Sequence, residues 1–151
     1  MTNGNDTLNS AKVCYLDTNA IIRFVESEDD GLFFIFEQAA VGILDLVTSE
    51  LTLAEVLVGP LKDGDKRLAN IYEEFLNGGE VLDVKPVNRD ILRRSAEVRA
   101  THGNKGPDAI HIATALTANC TILFSSDHRL KLPNGLMQVE LDRIRDIDIW
   151  S

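Results

Sequence analysis

The chain predicts an α/β fold, a three-layer sandwich in which helices cover both faces of a mainly parallel sheet. Three observations predict it. Short apolar runs alternate with helical patterns, and strands joined by helical crossovers form parallel sheets. No repeat, low-complexity block or linker divides the chain. Its 151 residues are 44% hydrophobic and 26% charged, the composition of one ordinary globular domain.

The elements follow in order. Residues 1–11 read as a polar tail and residues 12–151 as a single domain. Residues 13–16 are an apolar run ending at Asp17, the first strand. Residues 19–26 carry Ile21, Ile22 and Val25 at helical spacing, and residues 31–40 form a second helix with Phe33, Phe34, Phe36 and Ala40. Residues 43–47 are the second strand. Residues 51–58 are a helix stopped by Gly59-Pro60, and residues 62–76 another, closed by Asn77-Gly78-Gly79. Residues 81–84 are the third strand. Asn88 caps a helix over 89–100, and a turn at 102–106 leads into a helix opened by Pro107 and running to about 118. Residues 121–124 are the fourth strand, 137–141 a weaker fifth, and 147–150 a further edge segment.

Other classes fall away. No run reaches the ~18–20 apolar residues of a membrane span. The opening MTNGNDTLNS has neither the basic region nor the apolar core of a signal peptide. Cys14 and Cys120 lie in apolar stretches, so reduced thiols and a cytoplasmic location are expected. His102, His111 and His128 share no metal-ligand spacing and read as structural. The formal net charge of -9 argues against a chain that coats nucleic acid with its whole surface. It leaves room for a local patch, or for acids that hold metal ions.

In such a sheet, strand C-termini and helix N-termini share one edge, where ligands bind at a topological switch point. Asp17 follows the first strand. Asp127 lies just past the fourth, Asp108 in the first turn of the helix at Pro107, and Glu55 in the helix after the second strand. Each has an ordinary reading: Asp17 as a helix cap, Asp108 as a dipole partner, Asp127 as a turn residue. Glu55 falls at the i+4 position of a Leu51, Ala54, Val58 stripe, so it is expected near the packed side. Converging carboxylates repel unless a cation neutralises them. Oxygen-only ligation selects Mg²⁺ or Mn²⁺, and the chemistry that suits it is phosphodiester hydrolysis.

Val13-Cys14-Tyr15-Leu16-Asp17-Thr18-Asn19, Thr48-Ser49-Glu50-Leu51-Thr52-Leu53-Ala54-Glu55-Val56-Leu57, Pro107-Asp108-Ala109-Ile110-His111-Ile112-Ala113-Thr114-Ala115 and Leu123-Phe124-Ser125-Ser126-Asp127 resemble the four motifs of PIN-domain ribonucleases. VapC-like toxins of toxin–antitoxin pairs are the nearest in kind. The resemblance covers about residues 12–141 and implies a five-stranded sheet in the order 3-2-1-4-5. It implies that Asp17, Glu55, Asp108 and Asp127 are the acidic quartet that holds the metal and does the catalysis, with Asn19 and Ser125 in support. It also implies RNA as substrate, a homodimer and a small cognate antitoxin. Ser126 stands where Asn is common, and His128-Arg129-Leu130 where a further Asp is frequent. That departure implies a second metal held weakly, or only once RNA supplies phosphate ligands.

The basic residues are uneven. Residues 85–105 hold six (Lys85, Arg89, Arg93, Arg94, Arg99, Lys105) against Asp90 and Glu97, a local net of +4. Arg89, Arg93, Lys105 and Arg129 are therefore candidates for phosphate contacts. Phe33, Phe34 and Phe36 cannot all face one core, which points to a partner surface. The competing expectation is a non-catalytic RNA- or protein-binding module on the same fold. A receiver-like or dehalogenase-like phosphotransfer site does not match Asp17-Thr18-Asn19, and no phosphate-cradling Gly-rich loop is present.

Overall fold

A computed structural model describes residues 11–146. The expected edge segment at 147–150 and nearly all of the tail at 1–11 lie outside the described residues. The elements run β1 (Lys12–Leu16), α1 (Thr18–Glu26), α2 (Asp30–Ala40), β2 (Leu44–Ser49), α3 (Glu50–Val56), α4 (Val58–Asp63), α5 (Lys66–Phe75), β3 (Leu82–Lys85), α6 (Arg89–His102), α7 (Gly106–Thr117), β4 (Ile122–Phe124), β5 (Met137–Val139) and a 3₁₀ helix at Leu141–Asp146.

The five strands form one sheet in the order β3-β2-β1-β4-β5. Every pairing is parallel, with Cys14 opposite both Leu46 and Ile122, and Phe124 opposite Val139. Alternation along β1 divides the core. Cys14 and Leu16 join one cluster under α1, α2, α3, α5 and the 3₁₀ helix. Tyr15 joins a second under α6 and α7. The chain leaves β1 toward β2 and later returns on its other side as β4. The cleft between their C-terminal ends is thus the switch point.

Local chemistry sets the helix ends. Asp17, Asp29, Ser49, Asp65 and Asn88 each cap a helix by accepting a backbone N–H. Three expectations need correction. Gly59-Pro60 does not stop a helix at Val58: α3 ends at Val56, and a new helix starts at Val58 and takes Gly59 and Pro60 into its first turn. Pro suits a first turn, where its missing N–H has no partner to lose. The single helix expected over 62–76 is two. Gly64, at φ +70°, ends α4, and Asp65 then caps α5 by accepting from Leu68 N at 3.0 Å. The buried face of α3 is Thr52 and Val56, not the Leu51, Ala54, Val58 stripe, and Val58 is 55% exposed. β5 stops at Val139 because Leu141 begins the 3₁₀ helix.

Cys14 and Cys120 are buried free thiols, both pushed up to about 12 chiefly by burial. No helix among the described residues is long and apolar enough to cross a membrane. On α2, Phe36 stacks on Phe24 with centroids 4.0 Å apart, Phe34 lies under Arg145, and Phe33 is 61% exposed.

Candidate active site

A cleft of about 200 Å³ opens at the switch point and is lined by Asp17, Asn19, Glu55, Asp108, Asp127 and Arg129, with Thr18, His111, Ile112, Leu123 and Leu130. The four carboxylates named from the sequence therefore share one wall-to-wall space.

Asp17 leaves β1 and is 8% exposed. Its Oδ1 accepts from Ala20 N at 3.0 Å, so capping and facing the cleft fall to one side chain. Burial raises its pKa, while hydrogen bonds from Ser125 and Ala20 pull the other way and the charge on Asp127 adds to the rise. Asp108 sits in the first turn of α7 and is half-buried. Burial, then the neighbouring charge of Asp127, raises its pKa also. Among the described residues its carboxylate has no hydrogen bond or ion pair.

The other two acids are engaged. Burial alone would raise Glu55, but hydrogen bonds from His111 and Thr18 outweigh it and hold Glu55 below the usual carboxylate value. The contacts are Thr18 Oγ1 to Oε1 at 2.6 Å and His111 Nε2 to Oε1 at 2.7 Å. Asp127 is held low by its hydrogen bonds with Arg129, whose Nε and Nη2 reach the two carboxylate oxygens.

The loop after β4 is braced on both sides. Ser125 is fully buried, and its hydroxyl accepts from Asp127 N at 3.0 Å. Gln138 on β5 donates to the backbone oxygens of both Ser125 and Asp127. Asn104, in the turn before α7, makes two 2.9 Å bonds with the backbone of Lys131.

Asn19 is exposed at the rim. Lys105 precedes α7 and is close enough for its charge to depress Asp127. Arg89 and Arg93 are exposed on α6 and do not line the cleft; Arg93 Nη1 lies 3.1 Å from Asp90. The residue that sequence reasoning passed over is His111. Left as structural, it is 6% exposed and bonded directly to Glu55. Its position three residues after Asp108, on the same helix face, was the available signal.

The donor set is carboxylate oxygen, which suits a hard divalent cation. Asp17 and Asp108, both raised and close to further negative charge, are where such an ion relieves most repulsion. Among the described residues no three His, Cys, Asp or Glu side chains are already drawn into a cage. Glu55 and Asp127 are meanwhile bonded within the protein.

The structure is a parallel α/β sheet with an acidic cleft at its β1–β4 switch point, the edge at which ligands bind in such folds. A family profile for the PIN domain matches residues 14–135, and the chain belongs to that family. Comparison with curated proteins finds no match. Among solved structures, a toxin–antitoxin complex from Klebsiella pneumoniae is similar at 23% identity and TM-score 0.62, covering 82% of this chain and 95% of that one. VapBC2 from Rickettsia felis, bound to a DNA fragment from its promoter, is similar at 17% identity and TM-score 0.69, covering 85% and 98%. DNA-bound VapBC from Salmonella typhimurium is similar at 19% identity and TM-score 0.67, covering 87% and 98%. At these identities the likeness establishes a shared fold.

Proposed function

We propose that the chain is a metal-dependent endoribonuclease and the toxin of a type II toxin–antitoxin pair. One observation carries the reading: Asp17, Glu55, Asp108 and Asp127 line one cleft at the switch point, and Asp17 and Asp108 are raised by burial and by the neighbouring charge of Asp127. Nuclease activity is typical of the PIN family, and the three similar structures are described as toxin–antitoxin or VapBC assemblies.

Asp17 and Asp108 would hold Mg²⁺ or Mn²⁺, joined by Glu55 and Asp127. A bound divalent ion supplies charge neutralisation at the phosphate and a lowered pKa for attacking water. The protein's own part is positioning. Ser125 holds both the Asp17 side chain and the Asp127 backbone, and Asn19 stands at the rim. Lys105 and Arg129 place positive charge beside the acids, where an RNA phosphate would sit. Arg89 and Arg93 lie in the half of α6 beside the C-terminal end of α7, where Arg94 Nη1 bonds Thr117 Oγ1, so they would meet only RNA that runs well beyond the cleft. Phe33 offers an apolar contact for a second copy or for the antitoxin, and the free thiols suit a reducing cytoplasm.

The test is RNA cleavage with Mg²⁺ or Mn²⁺. Asp17→Ala and Asp108→Ala are each expected to abolish it, and activity that survives both overturns the mechanism. The Asp127–Arg129 pair favours a second reading, a binding module that cleaves nothing. RNA binding without cleavage under any divalent ion would be its mark.

A further inference from the structure

Behind Glu55 lies a buried chain of hydrogen bonds that the acidic quartet does not require. Tyr15, on β1, is fully buried, and its hydroxyl lies 2.5 Å from His111 Nδ1 on α7. The two rings meet edge to face with centroids 5.7 Å apart. The other ring nitrogen, Nε2, faces Glu55 Oε1 at 2.7 Å and Thr18 Oγ1 at 3.2 Å. Thr18 Oγ1 donates to the same Oε1 at 2.6 Å.

The contacts at each end of the chain fix the ring. Oε1 of Glu55 accepts from Thr18, and Nε2 faces the same oxygen at donor distance. At the other end Nδ1 is hydrogen-bonded to the Tyr15 hydroxyl, which burial holds in its phenol form. A ring nitrogen's role is set by the bond the other nitrogen makes. Every buried side-chain polar atom among the described residues is paired, so this network is complete and does not await a partner.

We propose that Tyr15 and His111 are positioning residues for the cleft: Tyr15 fixes the orientation of the His111 ring, and His111 with Thr18 ties down Glu55 Oε1. The oxygen Oε2, with no hydrogen bond among the described residues, is the one offered to a cation. Partners behind a ligand fix its orientation in just this manner in metal sites, and their loss typically weakens metal affinity about 10–100-fold. The inference rests on the reading of the cleft as a divalent-cation site.

The fixed ring is read by ¹H–¹⁵N NMR of His111 in the full chain, without metal or substrate. The expected result is an Nε2–H protected from solvent exchange in wild type, and faster exchange in Tyr15→Phe. A Tyr15→Phe spectrum unchanged at His111 overturns the proposal. Mn²⁺ titration of the same proteins reads the consequence. His111→Ala is expected to lose about tenfold or more in affinity. His111→Gln, whose amide N–H can reach the place of Nε2, is expected to recover most of it. Equal affinity in His111→Ala and wild type overturns the positioning role. A wild-type chain that binds no Mn²⁺, yet shows faster Nε2–H exchange in Tyr15→Phe, supports the Tyr15–His111 lock and overturns the metal reading instead.

Discussion

Arg129 closes a two-point grip on Asp127: Nε reaches Oδ1 at 3.0 Å and Nη2 reaches Oδ2 at 3.2 Å. The Arg129 backbone N–H donates to Oδ1 as well, at 3.0 Å. The arginine is 72% exposed and the aspartate 12%, so the guanidinium covers the carboxylate like a cap. With this grip in place, a cation must compete for Asp127. Arg129→Ala is therefore expected to tighten Mn²⁺ binding in the absence of RNA by about two- to fivefold, the worth of an exposed ion pair. The same change is expected to weaken RNA binding, since it removes a proposed phosphate contact. Calorimetric titration with Mn²⁺ and a binding assay with RNA check the two signs, which are opposite.

Asp108 has a carboxyl raised above its usual value in the folded chain. Its proton is thus bound more tightly in the folded state than in the unfolded one. In metal-free protein this makes the ionised side chain a liability that grows as pH rises through the raised pKa, and that vanishes below the unfolded value. Asp108→Asn is expected to raise the metal-free melting temperature at pH 7 by up to about 2 °C, with solvent screening limiting the gain. At pH 3 the difference should vanish. Added Mn²⁺ should stabilise wild type, by about 2.7 kcal/mol at a hundredfold excess over Kd. The variant should gain much less. Thermal melts at two pH values, with and without Mn²⁺, supply all four numbers.

Asn104 is 7% exposed and acts as a bracket, bonding both the N–H and the C=O of Lys131. Asn104→Ala strands these groups and is expected to cost about 1–3 kcal/mol in a urea melt. The loss should fall on the segment after β4, so faster amide exchange at residues 127–131 than in β1 is the accompanying sign.

Arg89 and Arg93 stand on α6 away from the cleft lining. Arg89→Ala with Arg93→Ala is expected to reduce the salt dependence of RNA binding by a slope of about two at most, while leaving the turnover of bound RNA alone. An unchanged salt slope would remove both from the RNA surface.

What the sequence made legible was whatever depends on near neighbours. Asp17 after an apolar run, Asn88 before a helix and Pro107 at a helix start announce themselves by local chemistry. The parallel sheet followed from the alternation of elements. The split between α4 and α5 was legible too, in Asp63-Gly64-Asp65, but helical periodicity on both sides concealed a helix end and a helix start so close together. Glu55 was reached by way of the wrong stripe. Thr52 is buried where an apolar residue was expected because its hydroxyl bonds Thr48 at 3.0 Å. His111 is another matter. Its partners stand 56 and 96 positions away in sequence, so only the packing of α7 against β1 and α3 brings the three together. Likewise, the Gln138 brace on Ser125 and Asp127 exists only once β5 has paired with β4.

Asp17 spends one carboxylate oxygen on the first turn of α1 while it faces the cleft. Asn is as good a helix cap as Asp, and it carries no charge to bury. Asp17→Asn would therefore keep the helix, relieve the cleft and remove the proposed metal ligand, all by one conservative step. On the proposed reading, in which the activity harms the cell that makes it, that makes silence easy to reach by drift. Decayed copies of such a gene would keep a sound fold and be told apart from working ones at a single atom.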